Sequence, residues 1–171
     1  MLNKEFSDTR RDEVRAVMRA VLEASVWLDD LDNRRRAAPT IGGQAYVGAP
    51  ADVIEARLLG QYSLGCSYGD TKYEDDYMLY HDGGRVNYPR KAHGIWFMAQ
   101  YLRFGYLSQP PDYAAVADRL ILQDLYREVA QEMSVPIPDD DMKPFTVELD
   151  RVTFDAHNPA SALNAYRTVG A

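Results

Sequence analysis

Two segments with the hydrophobic period of an α-helix dominate this sequence. The more regular one begins after Pro89, which fits a first helical turn, and runs to about Tyr106. The other runs from about Arg10 to Leu28. Because such a period buries one stripe of a helix and does not suit a strand, the sequence predicts a mainly α fold. The two predicted stripes are Ala92, Ile95, Trp96, Ala99, Leu102 and Tyr106, and Val14, Val17, Met18, Val21, Leu22 and Ser25.

Shorter helices are expected around these two segments. Residues 29–33 predict a turn and a cap for a helix from Arg34 to Ala38, which Pro39 ends, so that residues 40–43 form a loop. Side-chain caps are expected from Ser7, Asp8 or Thr9 for the Arg10–Leu28 helix, and from Gln123 or Asp124 for a later one. The further predicted helices are Ala49–Leu59, Tyr113–Arg119, Asp124–Met133 and Asn158–Tyr166, about six or seven helices in all.

The segment from Gln61 to Tyr88 shows no helical period and is rich in tyrosine and glycine. We expect an irregular segment over the helical core, and its length is typical of a functional loop or an interface. Near the C-terminus, alternating apolar residues at 145–149 and again at Val152 and Phe154 predict a small β-hairpin.

Size and charge limit the classes of protein that this chain can represent. Its 171 residues are expected to form a single helical domain over 1–171. The net charge of −7 argues against general binding to nucleic acids or to anionic membranes. The absence of a long apolar run and of an apolar leader after Met1 predicts a soluble, cytoplasmic chain as written, or a periplasmic one if it is part of an exported protein.

One cluster could hold a small anion. Arg90, Lys91 and His93 lie in the first turn of the predicted Pro89 helix, where two cations, an imidazole and free backbone N–H groups come together. The alternative is that His93 packs with a single hydrogen bond while Arg90 and Lys91 face solvent. We therefore treat these three residues as candidate ligand-binding residues.

Other clusters do not show the spacing of a known site. The run Asp139–Asp141 lacks the alternating ligands and the glycine of a calcium loop, whether Glu148 or Asp155 is added to it or not. The carboxylates at 74–76 with His81 do not match a metal-binding spacing. No metal site and no cofactor are predicted.

Catalytic signatures are also missing from the sequence. Cys66 is the one cysteine, and the residues beside it do not form a nucleophile motif with His81, His93 or His157. The cluster Arg34–Arg36 is too small to predict a nucleic-acid site, and the run Trp96–Met98 is expected in the core. The chain is thus predicted not to be an enzyme, and a hydrolase that uses Cys66 is the least favoured reading.

Five stretches, in the same order along the chain, resemble the nitrate/bicarbonate substrate-binding proteins of ABC transporters and their cytosolic nitrate-sensor relatives. Within residues 87–105 the chain keeps the family's His, Trp-Phe, Gln, Arg and Gly. It departs from the pattern at Ala92, where the family has Ser, and at Phe104, where it has Trp. The conserved positions are His93, Trp96, Phe97, Gln100, Arg103 and Gly105, and the other stretches are Trp27–Asp29, Tyr46–Pro50, Asp124–Ala130 and Val152–Pro159.

The resemblance covers nearly the whole chain but only the second, C-terminal half of the family. It implies part of a type II periplasmic-binding-protein fold, in which most anion-contacting residues lie before the point that corresponds to the start of this chain. Solute recognition or sensing for nitrate or bicarbonate is the implied role. A standalone helical interaction or regulatory subunit, with the Gln61–Tyr88 segment as its contact surface, is the alternative.

The missing part has a consequence for partners. A portion of a two-lobed receptor should expose apolar surface, which monomers seldom tolerate over large areas. We therefore expect a homo-oligomer, a second chain that supplies the missing lobe, or a fragment of a longer protein.

Overall fold

The computed structural model describes residues 3–74, 78–147 and 151–161. The described residues are rich in helix, as predicted, and include two small antiparallel hairpins. The chain divides into two compact units, residues 1–87 and 88–171. The expectation of a single domain stays a prediction.

The first unit contains four α-helices and one hairpin. The helices are α1 (Lys4–Thr9), α2 (Arg11–Leu28), α3 (Leu31–Gly42) and α4 (Ala51–Leu58). Strands β1 (Gln61–Ser63) and β2 (Asp70–Lys72) pair antiparallel, with Tyr62 opposite Thr71. Buried side chains of α2 and α3 form the core of this unit: Val14, Leu22, Ala37 and Ala38.

The start of α2 differs from the prediction. Ser7, Asp8 and Thr9 belong to the separate helix α1, and α2 follows Arg10 without a side-chain cap. Of the predicted stripe, Val17 and Val21 are exposed, so the buried stripe is narrower than the sequence pattern suggested. The cap predicted between α2 and α3 is confirmed, because the Asp30 carboxylate accepts a hydrogen bond from the Asp32 backbone N–H.

Pro39 does not end α3, and the prediction of a loop at residues 40–43 is wrong for Thr40 to Gly42. A proline removes one backbone donor and strains the preceding turn, but packing can outweigh this cost. The residues just before it, Ala37 and Ala38, are buried and hold the helix in place. The helix ends at Gly42, where a Cβ would lie 2.6 Å from the carbonyl oxygen of Ala49.

The segment Gln61–Tyr88 is more regular than predicted. It contains the β1–β2 hairpin and two short 3₁₀ turns, Cys66–Tyr68 and Asp82–Gly84. Tyr62 and Tyr73, next to the paired strands, contact each other edge to face at 5.7 Å. Tyrosine is a good strand residue, and in so short a hairpin the strand signal is too brief to distinguish from a loop.

The Asp29 carboxylate anchors the second 3₁₀ turn of this segment. It accepts hydrogen bonds from the backbone N–H groups of Tyr80, His81 and Asp82, at 2.7 Å for the first and the last. Arg34, which is buried, donates to the carbonyls of Leu28 and Leu58 and lies over the Tyr80 ring. These polar contacts join the end of α2, the end of α4 and the tyrosine-rich segment.

In the second unit the described residues include three complete α-helices, the start of a further helix at residues 159–161, and a second hairpin. The helices are α5 (Lys91–Arg103), α6 (Tyr113–Leu120) and α7 (Gln123–Glu132). Strands β3 (Phe145–Val147) and β4 (Val152–Phe154) pair antiparallel, which confirms the predicted hairpin. The core consists of Ala92, Ile95, Met98, Ala99, Ala117, Phe154 and Ala156.

The ends of the helices in the second unit differ by a few residues from those that the sequence predicted. Pro89 precedes α5 instead of lying in its first turn, and α5 ends at Arg103 because Gly105 adopts a positive φ of 76°. Tyr106 is therefore exposed and does not extend the stripe. Helix α7 has no side-chain cap, so the prediction of a cap from Gln123 or Asp124 is wrong. The predicted helix Asn158–Tyr166 lies mostly outside the described residues.

The run Trp96–Met98 is not wholly in the core, as the sequence suggested. Met98 is buried and Trp96 is partly buried, but Phe97 is exposed. Successive helical residues point about 100° apart, so three in a row cannot share one face. No described helix combines the length and the apolar character needed to cross a membrane.

Candidate functional site

The three candidate anion-binding residues lie where α5 begins. Lys91 is the first helical residue, Arg90 is the residue before it, and His93 follows within the first turn. The backbone N–H of Ala92 donates to the carbonyl of Asp141, and that of His93 donates to the carbonyl of Arg90. Two of the donors that the sequence analysis offered to an anion therefore have protein acceptors.

The two cations make separate contacts. The Lys91 ammonium lies 2.7 Å from the Asp118 carboxylate of α6, and this hydrogen bond raises the pKa of Lys91. The Arg90 guanidinium donates to the carbonyl of Lys143 and lies over the ring of Phe145, 5.8 Å from its centre. Helix α5 is thus connected to α6 by Lys91, and to the segment that leads into β3 by Arg90.

His93 packs against the second hairpin. Its ring meets that of Phe145 edge to face at 4.8 Å. The His93 side chain is still exposed, but its partial burial lowers its pKa, and the nearby Arg90 cation lowers it further. At neutral pH this imidazole is therefore uncharged, which suits an apolar wall better than an anion site.

Arg90 and His93 thus share Phe145 as a neighbour, while Lys91 is directed to Asp118. These contacts differ from the packing alternative, because Arg90 and Lys91 are partly buried against protein partners while the exposed His93 makes a ring contact. Whether they also bind a ligand stays a prediction.

A cavity of about 300 Å³ opens beside this cluster. It is almost entirely apolar and lies between α5 and β3. The sequence did not predict this cavity, because strand residues far along the chain supply half of its wall. The alternation at 145–147 was the one available signal. Its lining residues are His93, Trp96, Phe97, Phe145, Thr146 and Val147.

The other residues that the sequence suggested for catalysis or metal binding have the following surroundings. Cys66 is exposed. Glu74 pairs with Lys72 at 2.8 Å, while residues 75–77 and 148–150 lie outside the described part of the chain. Within the part that is described, no three or more His, Cys, Asp or Glu side chains group as metal ligands would.

Comparisons with known proteins agree with the family resemblance. No protein-family model matches the chain. It is 29% identical over 170 residues to the nitrate/nitrite binding protein NrtA of Synechocystis, and 27% identical over 175 residues to the bicarbonate-binding protein CmpA of Synechococcus elongatus. Each alignment covers 97% of this chain, but only 38% and 39% of those relatives.

A comparison of folds also agrees with the family resemblance. The crystal structure of the periplasmic nitrate-binding protein NrtA from Synechocystis superposes with a TM-score of 0.85 at 28% identity. The match covers 95% of this chain and 43% of that one. The described fold is therefore a portion of a periplasmic-binding-protein fold.

The predicted resemblance to the nitrate/bicarbonate substrate-binding proteins of ABC transporters is confirmed by these matches. The chain spans about two-fifths of the length of the curated relatives it matches. A similar segment also occurs in a nitrate import ATP-binding protein, NrtC of Synechocystis, at 26% identity over 121 residues.

Proposed function

We propose that this chain is a helical part of a receptor for a small anion of the nitrate or bicarbonate type, acting in transport or in sensing and not as an enzyme. The observation that carries the proposal is the superposition on NrtA over 95% of the chain. The names of the matched relatives supply the anion class.

The proposal includes a second polypeptide part. Of the NrtA chain, 43% is matched, and the rest has no counterpart in these 171 residues. The candidate residues Arg90, Lys91 and His93 have protein contacts that do not require an anion. We therefore expect anion binding only when the remaining lobe is present, on the same chain or on another.

A chimera tests this function. The matched segment of Synechocystis NrtA is replaced by the 171-residue chain, and calorimetry measures binding of nitrate, nitrite, bicarbonate and cyanate. We expect heat with at least one of the four anions, and none with the 171-residue chain alone. A folded chimera that binds none of them would contradict the proposal.

A second function is favoured by the surface of the tyrosine-rich segment. Leu64, Tyr68, Tyr73 and Met78 are exposed there, and aromatic residues are enriched at protein interfaces. In this alternative the chain is a regulatory or scaffold subunit without an anion, and residues 61–88 contact its partner. Substituting Tyr68→Ser would then weaken partner binding.

A further inference from the structure

Helix α5 is apolar on two faces. Its inner face contributes Ala92, Ile95 and Ala99 to the core. On its other side lie Phe97, Tyr101 and Phe104, spaced as i, i+4 and i+7, with 56%, 50% and 61% of their surface exposed.

Three of the exposed rings contact one another, and the Arg103 guanidinium lies over one of them, Phe104, 5.1 Å from its centre. Tyr106, 77% exposed, packs edge to face on Tyr101 at 6.0 Å and lies 6.5 Å from Phe104. At the other end, Phe97 belongs to the wall of the 300 Å³ cavity. We call Phe97, Tyr101, Phe104 and Tyr106 the aromatic face. Contiguous apolar patches of this kind mark interaction sites.

The solved relative indicates what covers this face. NrtA contains the same fold within a longer chain, of which 57% (100 − 43) lies outside the match. An apolar face beside an apolar cavity is a surface whose burial against that remainder would be favourable.

We propose that the aromatic face docks the polypeptide that corresponds to the part of NrtA outside the match, with one of its apolar side chains in the cavity between α5 and β3. This inference rests on the proposed function and names the contact that the missing lobe makes. The neutral His93 in the cavity wall is compatible with an apolar side chain.

The test places aspartates on the face. The variant Phe97→Asp/Phe104→Asp is made in the 171-residue chain and in the NrtA chimera. Leu64→Asp/Tyr68→Asp is the matched control, because these residues are also exposed but lie in the first unit. Thermal unfolding, light scattering and binding of an apolar dye are measured for each protein.

In the isolated chain we expect both variants to leave the unfolding midpoint nearly unchanged, since the substituted rings face solvent. Dye binding should fall with the Phe97/Phe104 variant. In the chimera the same variant should lower the midpoint by more than about 5 °C, because two charges would be buried at the contact. The unfolding midpoint of the Leu64/Tyr68 control should remain close to that of the unsubstituted chimera.

Three results would overturn the inference. The first is a chimera that does not unfold as one cooperative unit, and the second is a chimera whose unfolding midpoint does not change in the Phe97/Phe104 variant. The third result is an isolated chain that forms a dimer which this variant dissociates. The last would make a second copy of the chain the occupant. A chimera that depends on Phe97 and Phe104 but binds no anion would contradict the proposed function alone. Sensitivity to Leu64 and Tyr68 instead would favour the scaffold alternative.

Discussion

Tyr88 and Tyr126 are both buried and pack edge to face at 5.5 Å, yet their hydroxyls differ. The Tyr88 hydroxyl accepts a hydrogen bond from Arg127 at 2.8 Å. That of Tyr126 has no partner among the described residues. A buried polar group without a partner costs free energy, so the two rings should respond differently to loss of the hydroxyl.

We expect Tyr126→Phe to leave the free energy of unfolding unchanged or to raise it by up to about 1 kcal/mol, because no hydrogen bond is lost. Tyr88→Phe should lower it by about 1 kcal/mol, because Arg127 loses its acceptor. Urea unfolding of the two variants beside the unsubstituted chain measures this difference. A larger loss for Tyr126→Phe than for Tyr88→Phe would contradict the assignment of partners.

His93 should make stability depend on pH. Its pKa in the folded chain is lowered from the ordinary 6.5 by burial and by Arg90, so the unfolded chain binds the proton more readily. Above pH 6.5 the neutral imidazole makes its full contribution to the free energy of unfolding. This contribution is lost as the pH falls below that value. In His93→Gln, the decrease in stability between pH 7.5 and pH 5.5 should therefore be smaller, as measured by urea midpoints.

Equal pH dependence in the His93 variant and the unsubstituted chain would show that His93 does not titrate as its surroundings indicate.

Among the elements, the turn at residues 80–82 of the tyrosine-rich segment is anchored by the Asp29 carboxylate. Asp29 accepts from three successive backbone N–H groups of residues 80–82, and carboxylate hydrogen bonds of this kind are among the stronger ones. Asp29→Ala should expose these groups, and Asp29→Asn should be nearly as damaging because its NH₂ group would face donors. We expect each variant to lose about 1–3 kcal/mol of stability.

Hydrogen exchange gives a local readout for the same prediction. Exchange of the amides at residues 80–82 should accelerate in both Asp29 variants, while Asp70→Ala, at an exposed position of β2, should leave it unchanged. Retained protection of these amides in Asp29→Ala would contradict the anchoring role.

The elements also show what the sequence could and could not predict. Periodicity located α2 and α5 because each buries a stripe that repeats through many residues. It failed at Pro39, where buried Ala37 and Ala38 outweigh the local penalty of proline, and at β1 and β2, which are three residues each. The candidate residues lie together at the start of α5, with Arg90 just before it, and their role in binding stays a prediction. Their partners Asp118, Lys143 and Phe145 were not predictable, because these contacts join distant parts of the chain.

At the scale of the whole molecule, the chain matches a portion of a larger architecture. It matches NrtA over nearly all of its own length and under half of that protein's chain, and it leaves large apolar side chains exposed in both units. The family resemblance carried by five motifs could predict this partial match, since those motifs lie at matching positions along the chain. It could not predict which large apolar side chains around α5 are exposed, because that depends on the three-dimensional arrangement of the chain.

The single-domain prediction can be tested because the two tryptophans report on different units. Trp27 lies in the first unit and Trp96 in the second. Units of this size bury a modest fraction of their surface and are marginally stable alone, so we expect them to unfold together. In Trp27→Phe and Trp96→Phe, the fluorescence of the remaining tryptophan should give urea midpoints that coincide with those from circular dichroism of the same variant. Midpoints that separate, with one tryptophan responding before the other, would show two independently folding domains instead.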